Sequence, residues 1–283
     1  MLITGANGVV GSDLVRFFSK KSKVYAVYRT PNLITKNLKN NNIIWIKQDL
    51  SKKIKLKVNP KIIINCAATH EFSSKKNLQN YLDSNVISMA NLITFAKLKK
   101  VKKIINLSTI SVYGTINAKL LNEDYTPINQ DLLGRTKYIS EYLLYNQPID
   151  FINLRLPGVL CSSKNYSRPW LKTIINKIKN NEKIKIYNVK SNFNSVIDVE
   201  EITKLITKII KSNKIIRNTF NLSASGSVKL GPTIKKIKKY YNSSSEIFSL
   251  KNEKKSYLIS VQKIKKILKF STTSVTKIID RNL

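Results

Sequence analysis

The 283-residue chain predicts an α/β protein: a doubly wound parallel sheet with a smaller C-terminal α/β substrate lobe. Three observations carry that prediction. Short apolar runs alternate with helical patterns through the first half, a glycine-rich turn joins the first run to the first helix, and the alternation breaks after Pro157-Gly158. Right-handed crossovers between successive strands then wind the sheet from its middle outward.

Strands are expected at Met1 to Thr4, Lys23 to Tyr28, Ile43 to Lys47, Lys61 to Asn65, Lys103 to Leu107 and Phe151 to Leu154. Helices fall between them at Val9 to Ser19, Leu78 to Lys97 and Gly134 to Tyr145. Residues 1–157 form the nucleotide-binding domain and 158–283 the substrate lobe, with segments near 192–222 returning to the first domain. In the lobe, a loop at Ser162 to Pro169 leads into a basic helix from Trp170 to about Lys179. A strand-like stretch follows at Lys183 to Val189.

Composition narrows the class. With 42% hydrophobic against 24% charged residues the chain is globular. Cys66 and Cys161 stand alone in apolar surroundings, so neither a disulfide framework nor a thiolate metal site is signalled. No apolar run approaches the roughly 20 residues that span a bilayer, and the chain opens on Met1-Leu2-Ile3-Thr4-Gly5, which points to the cytoplasm. The formal charge of +35 invites a nucleic-acid reading, yet most of the excess is Lys spread over the whole length, and nucleic acid is disfavoured. Thr233 to Tyr241 and Ser260 to Phe270 set apolar residues at helical spacing among lysines. Such helices suit an anionic membrane surface, but the favoured reading is an apolar stripe in the core with lysines in water.

Thr4-Gly5-Ala6-Asn7-Gly8-Val9-Val10-Gly11 follows the first strand and opens a helix. Glycines there let backbone approach a pyrophosphate, and the helix N-terminus offers unpaired N–H groups to it. The spacing is one residue longer than the Gly-x-Gly-x-x-Gly fingerprint. Strand two ends at Arg29, where a carboxylate would hold ribose hydroxyls; a guanidinium instead grips a 2′-phosphate, so NADP is favoured over NAD. Asp49-Leu50 follows strand three, where the carboxylate suits an adenine amino group and the Leu its ring.

The glycine loop, Asp49-Leu50, Asn65-Cys66-Ala67-Ala68, Asn85-Val86, Ser108-Thr109-Ile110-Ser111-Val112-Tyr113-Gly114 and Arg155-Leu156-Pro157-Gly158 occur in one order. That ordered set resembles the extended short-chain dehydrogenases/reductases, a Rossmann family, in its branch of nucleotide-sugar epimerases, dehydratases and reductases. Val196 to Ile202 and Phe220-Asn221-Leu222 extend the likeness. The resemblance implies that Gly5, Asn7, Gly8, Val9, Val10 and Gly11 hold the pyrophosphate. It implies that Ala67 and Ala68 line the nicotinamide ribose, that Asn85 orders the active-site helix, and that Pro157 and Gly158 cover the carboxamide. Thr109 would bond a sugar hydroxyl or keto oxygen, and Lys137 the nicotinamide ribose. A homodimer through the helices before and after Lys137 is implied as well.

One position departs. The family's tyrosine, the acid or base during hydride transfer, stands four residues before its lysine, and here that residue is Leu133. None of the thirteen tyrosines has Lys four residues on. A missing acid/base forfeits about 10²–10⁴-fold in rate. Replacement donors are Tyr113, Thr109 with a water, and Tyr138, which lies off the required helix face. His70 and Arg168 are weaker substrate candidates, and Asn194-Ser195 stands where an Arg-Asp pair is common. The expected function is NADP-dependent epimerisation or reduction of a nucleotide-linked sugar with an atypical acid/base. The alternative is a dinucleotide-binding sensor or partner subunit with little or no turnover, and a basic surface binder is the third reading.

Overall fold

A computed structural model describes residues 1–69, 77–161, 170–250 and 256–283. They divide into two compact units, Met1–Thr115 with Thr126–Arg155 and Thr203–Phe220, and Ile116–Tyr125 with Leu156–Ile202 and Asn221–Leu283. The first unit takes in Thr203–Phe220 and the second takes in Ile116–Tyr125. Its strand Leu120–Leu121 pairs in parallel with Leu258–Ile259, so the partner of this backbone lies over a hundred residues away.

The first unit is built on a seven-stranded sheet. Its strands are β1 (Leu2–Thr4), β2 (Val24–Tyr28), β3 (Ile43–Lys47), β4 (Ile62–Asn65), β5 (Lys103–Thr109), β6 (Asp150–Leu156) and β7 (Arg217–Asn221). They run in the order β7-β6-β5-β4-β1-β2-β3. β1 pairs in parallel with both β2 and β4, and the pairs β2–β3 and β4–β5 are parallel too. The reversal of strand order beside β1 places the glycine loop at the sheet's switch point. The main helices are α1 (Val9–Phe18), α2 (Ser88–Leu98) and α3 (Leu132–Tyr145). Leu2, Ile63, Ile104 and Phe151 from four strands form one apolar cluster with Met89 and Leu92 of α2 and Leu144 of α3. Period-two alternation puts those strand residues on one face of the sheet, the face that α2 and α3 cover.

Where sequence pattern predicts one helix from Leu78 to Lys97, the chain forms a short helix Leu78–Tyr81, a π-turn Leu82–Ile87, and then α2. Hydrophobic spacing cannot register the extra residue of an i→i+5 turn, which re-aims the side chains around it.

The second unit contains three parallel pairs, Gly158–Leu160 with Val196–Asp198, Ile184–Tyr187 with Ile247–Leu250, and the pair at Leu120. An antiparallel pair joins Asn192–Phe193 to Val228–Lys229. Helices Leu230–Tyr240 and Gln262–Leu268 bury Ile234, Ile237, Ile264 and Leu268, while Lys235, Lys236, Lys265 and Lys266 face water. Arg281 ties the C-terminus to Asp198 and Glu201, both buried, which anchors the start of helix Val199–Lys211. Among the described residues no helix is long and apolar enough to cross a membrane.

Candidate functional site

The glycine loop shows why it needs its residue types. Gly5 has φ +57°, and a Cβ there would lie 2.8 Å from the backbone of Cys66 and Ala67. Side chains are thereby excluded where the loop rests on the segment after β4. Gly8 caps α1 in an extended conformation with no side-chain hydrogen bond, and the first turn of α1 holds no acid. Its leading N–H groups therefore remain open to an anion. Asn7 braces the loop by donating to Thr30 O at 2.7 Å, while Asn32 donates back to Asn7 O at 2.9 Å.

Arg29 is exposed beyond β2 and donates to Ser84 Oγ at 3.2 Å. Sequence reasoning missed Ser84, although it stands directly before the Asn85 it singled out. Asp49 folds back on its own turn, Oδ1 accepting from Ser51 N at 2.9 Å and Ser51 Oγ at 2.8 Å. The Leu50 side chain points into the apolar core of the unit.

Asn85, buried in the π-turn, joins two parts of the site. Its Oδ1 accepts from Thr69 N at 2.9 Å, and its Nδ2 donates to Thr69 O and to Thr136 Oγ1 at 2.9 Å. The strand end Ala67-Ala68-Thr69 is thereby fixed to α3 one residue before Lys137. Lys137 is buried, and its ammonium donates to Leu107 O at 2.6 Å. Burial lowers its pKa to about 8, although the nearby Glu141 and Cys66 act in the opposite direction. The Cys66 thiol is raised by burial to about 12, so it is a neutral neighbour rather than a nucleophile.

Thr109 and Ser111 sit against the start of α3. A Cβ on Gly134 would lie 2.2 Å from Ser111 O, so only glycine admits this approach. Thr109 Oγ1 donates to Ser111 Oγ at 3.2 Å and accepts from Ser111 N at 3.1 Å. Leu133, half-buried, precedes Gly134 and lies one helical turn before Lys137 on the same side.

Below Lys137 the helix is held by charge. Glu141 accepts from Ser108 Oγ and from Arg155, whose Nη2 donates at 2.7 Å. Burial works against the Arg155 charge, but the Glu141 carboxylate outweighs it and holds the guanidinium above its ordinary pKa. Tyr113, a candidate donor by sequence, has no exposed surface. It lies under Arg155, 4.6 Å from ring centroid to guanidinium carbon, and the two side chains also hydrogen-bond. Tyr138 is 39% exposed and also flanks Arg155.

Pro157 and Gly158 belong to the second unit, at the start of the strand paired with Val196–Asp198. Asn194 has its amide engaged by Ala224 O and by the backbone of Ile259, which gives it a structural task in the second unit. His70 and Arg168 lie outside the described residues, and among the described residues no group of His, Cys, Asp or Glu could hold a metal ion.

The family model for the NAD-dependent epimerases and dehydratases matches residues 1–223. The chain belongs to the NAD-dependent epimerase/dehydratase family. Among its relatives is the dTDP-D-glucose 4,6-dehydratase of Dictyostelium discoideum, 25% identical over 268 residues. That match takes in 84% of this chain and 61% of the dehydratase, so the chain spans less than two thirds of that relative's length. A crystal structure of UDP-glucuronic acid 4-epimerase from Bacillus cereus in complex with NAD superposes with a TM-score of 0.81. Its identity is 22%, and 98% of this chain and 94% of the other are covered. The enzyme WbmG of Bordetella bronchiseptica, also in complex with NAD, gives a TM-score of 0.85 at 14% identity over 99% and 91% of the two chains. At these identities the two structures speak for the epimerase/dehydratase fold.

Proposed function

We propose that the chain binds a nicotinamide dinucleotide in its first unit and acts on a nucleotide-linked sugar, with an acid/base other than the usual tyrosine. The observation that carries this reading is the convergence of the uncapped α1 N-terminus, the braced strand end Ala67-Ala68-Thr69 and the buried Lys137 ammonium in one unit. The donor set fits the cofactor. Amides of the α1 first turn suit its phosphates, and the Lys137 ammonium, which donates one of its three protons to Leu107 O, suits ribose hydroxyls. The relatives solved with NAD support the class of cofactor. Arg29, exposed and hydrogen-bonded to Ser84, favours NADP.

The cofactor, when bound, supplies hydride chemistry. This chain's residues orient, exclude water and manage a proton. Thr109 bonds the substrate oxygen, and the proton moves through a donor other than residue 133. Lys137, lowered toward neutral pH by burial, sets the charge beside that path. Exposed Ile139 and Tyr142 of α3 and Leu98 of α2 offer an apolar face for a homodimer.

The decisive experiment is Leu133→Tyr, assayed by nucleotide absorbance with keto and hydroxy forms of UDP-sugars. The substitution raises turnover about 10²–10⁴-fold. A wild-type chain already as fast as the variant overturns the reading of Leu133. Leu133 also favours a second reading, a dinucleotide-binding subunit without turnover, and it holds if the wild type binds NADPH yet only Leu133→Tyr turns over.

A further inference from the structure

A row of buried polar side chains crosses five of the seven strands of the first unit's sheet, from β1 to the edge strand β7. Ala67 N donates to Thr4 Oγ1 at 3.4 Å, and Thr4 Oγ1 donates to Asn65 Oδ1 at 2.6 Å. Asn65 Nδ2 donates to Asn106 Oδ1 at 3.0 Å, and Asn106 Nδ2 to Asn153 Oδ1 at 2.9 Å. Asn153 Nδ2 then donates to Thr219 Oγ1 at 3.0 Å, whose hydroxyl meets Tyr145 OH at 2.8 Å. The row visits β1, β4, β5, β6 and β7 in their order across the sheet and finishes on the last turn of α3. Thr4, Asn65, Asn106 and Asn153 stand two residues beyond Leu2, Ile63, Ile104 and Phe151, so the row lies on the face that α2 and α3 cover.

Two features make the row more than a set of satisfied amides. All its donors from Ala67 to Asn153 follow one another in one sense, so turning over the central Asn106 amide would set donor against donor on one side and acceptor against acceptor on the other, and turning over Asn65 or Asn153 would set like against like on its Asn106 side. The arrangement is therefore over-determined, and each bond polarises the next. Its two ends are also distinct in kind. One is the Ala67 amide on the strand end that packs under the glycine loop, and the other is Tyr145, on the α3 stripe that carries Lys137 and Glu141 two turns and one turn earlier.

We propose that this asparagine row positions the dinucleotide site: it fixes the level of the Thr4 and Ala67 backbone relative to α3. Asn65, Asn106, Asn153 and Thr219 are positioning residues acting through Thr4, and none needs to touch a ligand. The proposal rests on the dinucleotide reading for its functional consequence but not for its mechanical one.

The test compares Asn106→Leu, which leaves Asn65 Nδ2 and Asn153 Oδ1 without partners, with Ile105→Ala, a buried truncation next to it on β5 that spares the row. Three quantities are measured on the full chain: Tm, the NADPH and NADH dissociation constants by calorimetry, and hydrogen exchange at Ala67 and Gly8. Both variants should lower Tm. Only Asn106→Leu should raise the dissociation constant about tenfold and accelerate exchange at Ala67, the amide bonded to Thr4. Should Asn106→Leu fail to fold, Thr219→Val ends the row roughly 19 Å away, four strand spacings from β1, and is read the same way. Equal dissociation constants and equal Ala67 exchange in the row variant and Ile105→Ala overturn the proposal. A wild type that binds neither nucleotide refutes the dinucleotide reading instead, and exchange at Ala67 then decides the row by itself.

Discussion

The first turn of α1 and the inner stripe of α3 face the same proposed ligand by opposite means. At α1 the groups are backbone amides, made available because Gly5 and Gly8 lack side chains and because nothing caps the helix. At α3 they are side chains one helical turn apart, Leu133 and Lys137. A backbone site is lost only if the turn refolds, whereas a side-chain site changes with one substitution. This molecule shows both outcomes, with its glycine turn intact and leucine four residues before Lys137.

The largest effect that would break this contrast is expected at Gly5. Gly5→Ala forces a Cβ against the Cys66 and Ala67 backbone at a positive φ. It should cost about 3 kcal/mol or more in urea unfolding. A change within experimental error would show the loop to be less constrained than its geometry requires.

Next comes Lys137, where the expectation concerns pH. Its folded pKa of about 8 lies below the ordinary 10.5, so between those values the unfolded chain holds the extra proton and stability rises with pH. Below pH 8 the full penalty, about 3 kcal/mol, is present. Lys137→Met removes it and flattens the rise. Cys66 opposes that rise above pH 9, because its folded pKa of about 12 exceeds the unfolded one and stability falls as the unfolded thiol ionises. Urea unfolding at pH 7, 8.5 and 10.5 in a Cys66→Ala background isolates the lysine. A profile identical with and without Lys137 would refute its burial as a charge.

Asn85→Ala removes three hydrogen bonds that join Thr69 to Thr136. A loss of about 2 kcal/mol is expected, with weaker NADPH binding by calorimetry. Stability without any change in affinity would mean that the brace serves the fold alone. The smallest effect falls on Arg29→Ala, an exposed side chain. NADPH should weaken about tenfold with NADH unchanged, as for the loss of a charge-assisted phosphate contact, and equal effects on both would remove the basis for preferring NADP.

Much of the first unit was legible in the sequence because its information is local. β1, the glycine turn and α1 announce themselves by a short apolar run, three glycines and a 3.6-residue stripe. Lys137 and Leu133 are read from their spacing. The π-turn at Leu82–Ile87 was not legible, since its side chains fit a continuous α-helix and only the backbone reveals the added residue. Tyr113 looked available because its motif lies on a turn, and its enclosure depends on Arg155 more than forty residues later. The asparagines of β4, β5 and β6 are unremarkable in a chain with many Asn, and their alignment exists only once the strands are in register.

The family, most of the strands and helices of the first unit, the glycine turn and the leucine four residues before Lys137 are all readable along the chain, because each follows from residues within a few positions of one another. Which groups are buried and which polar side chains meet across the sheet follow from the fold. Burial and hydrogen-bond pairing depend on the neighbours that folding brings from distant parts of the chain, and no local pattern encodes them.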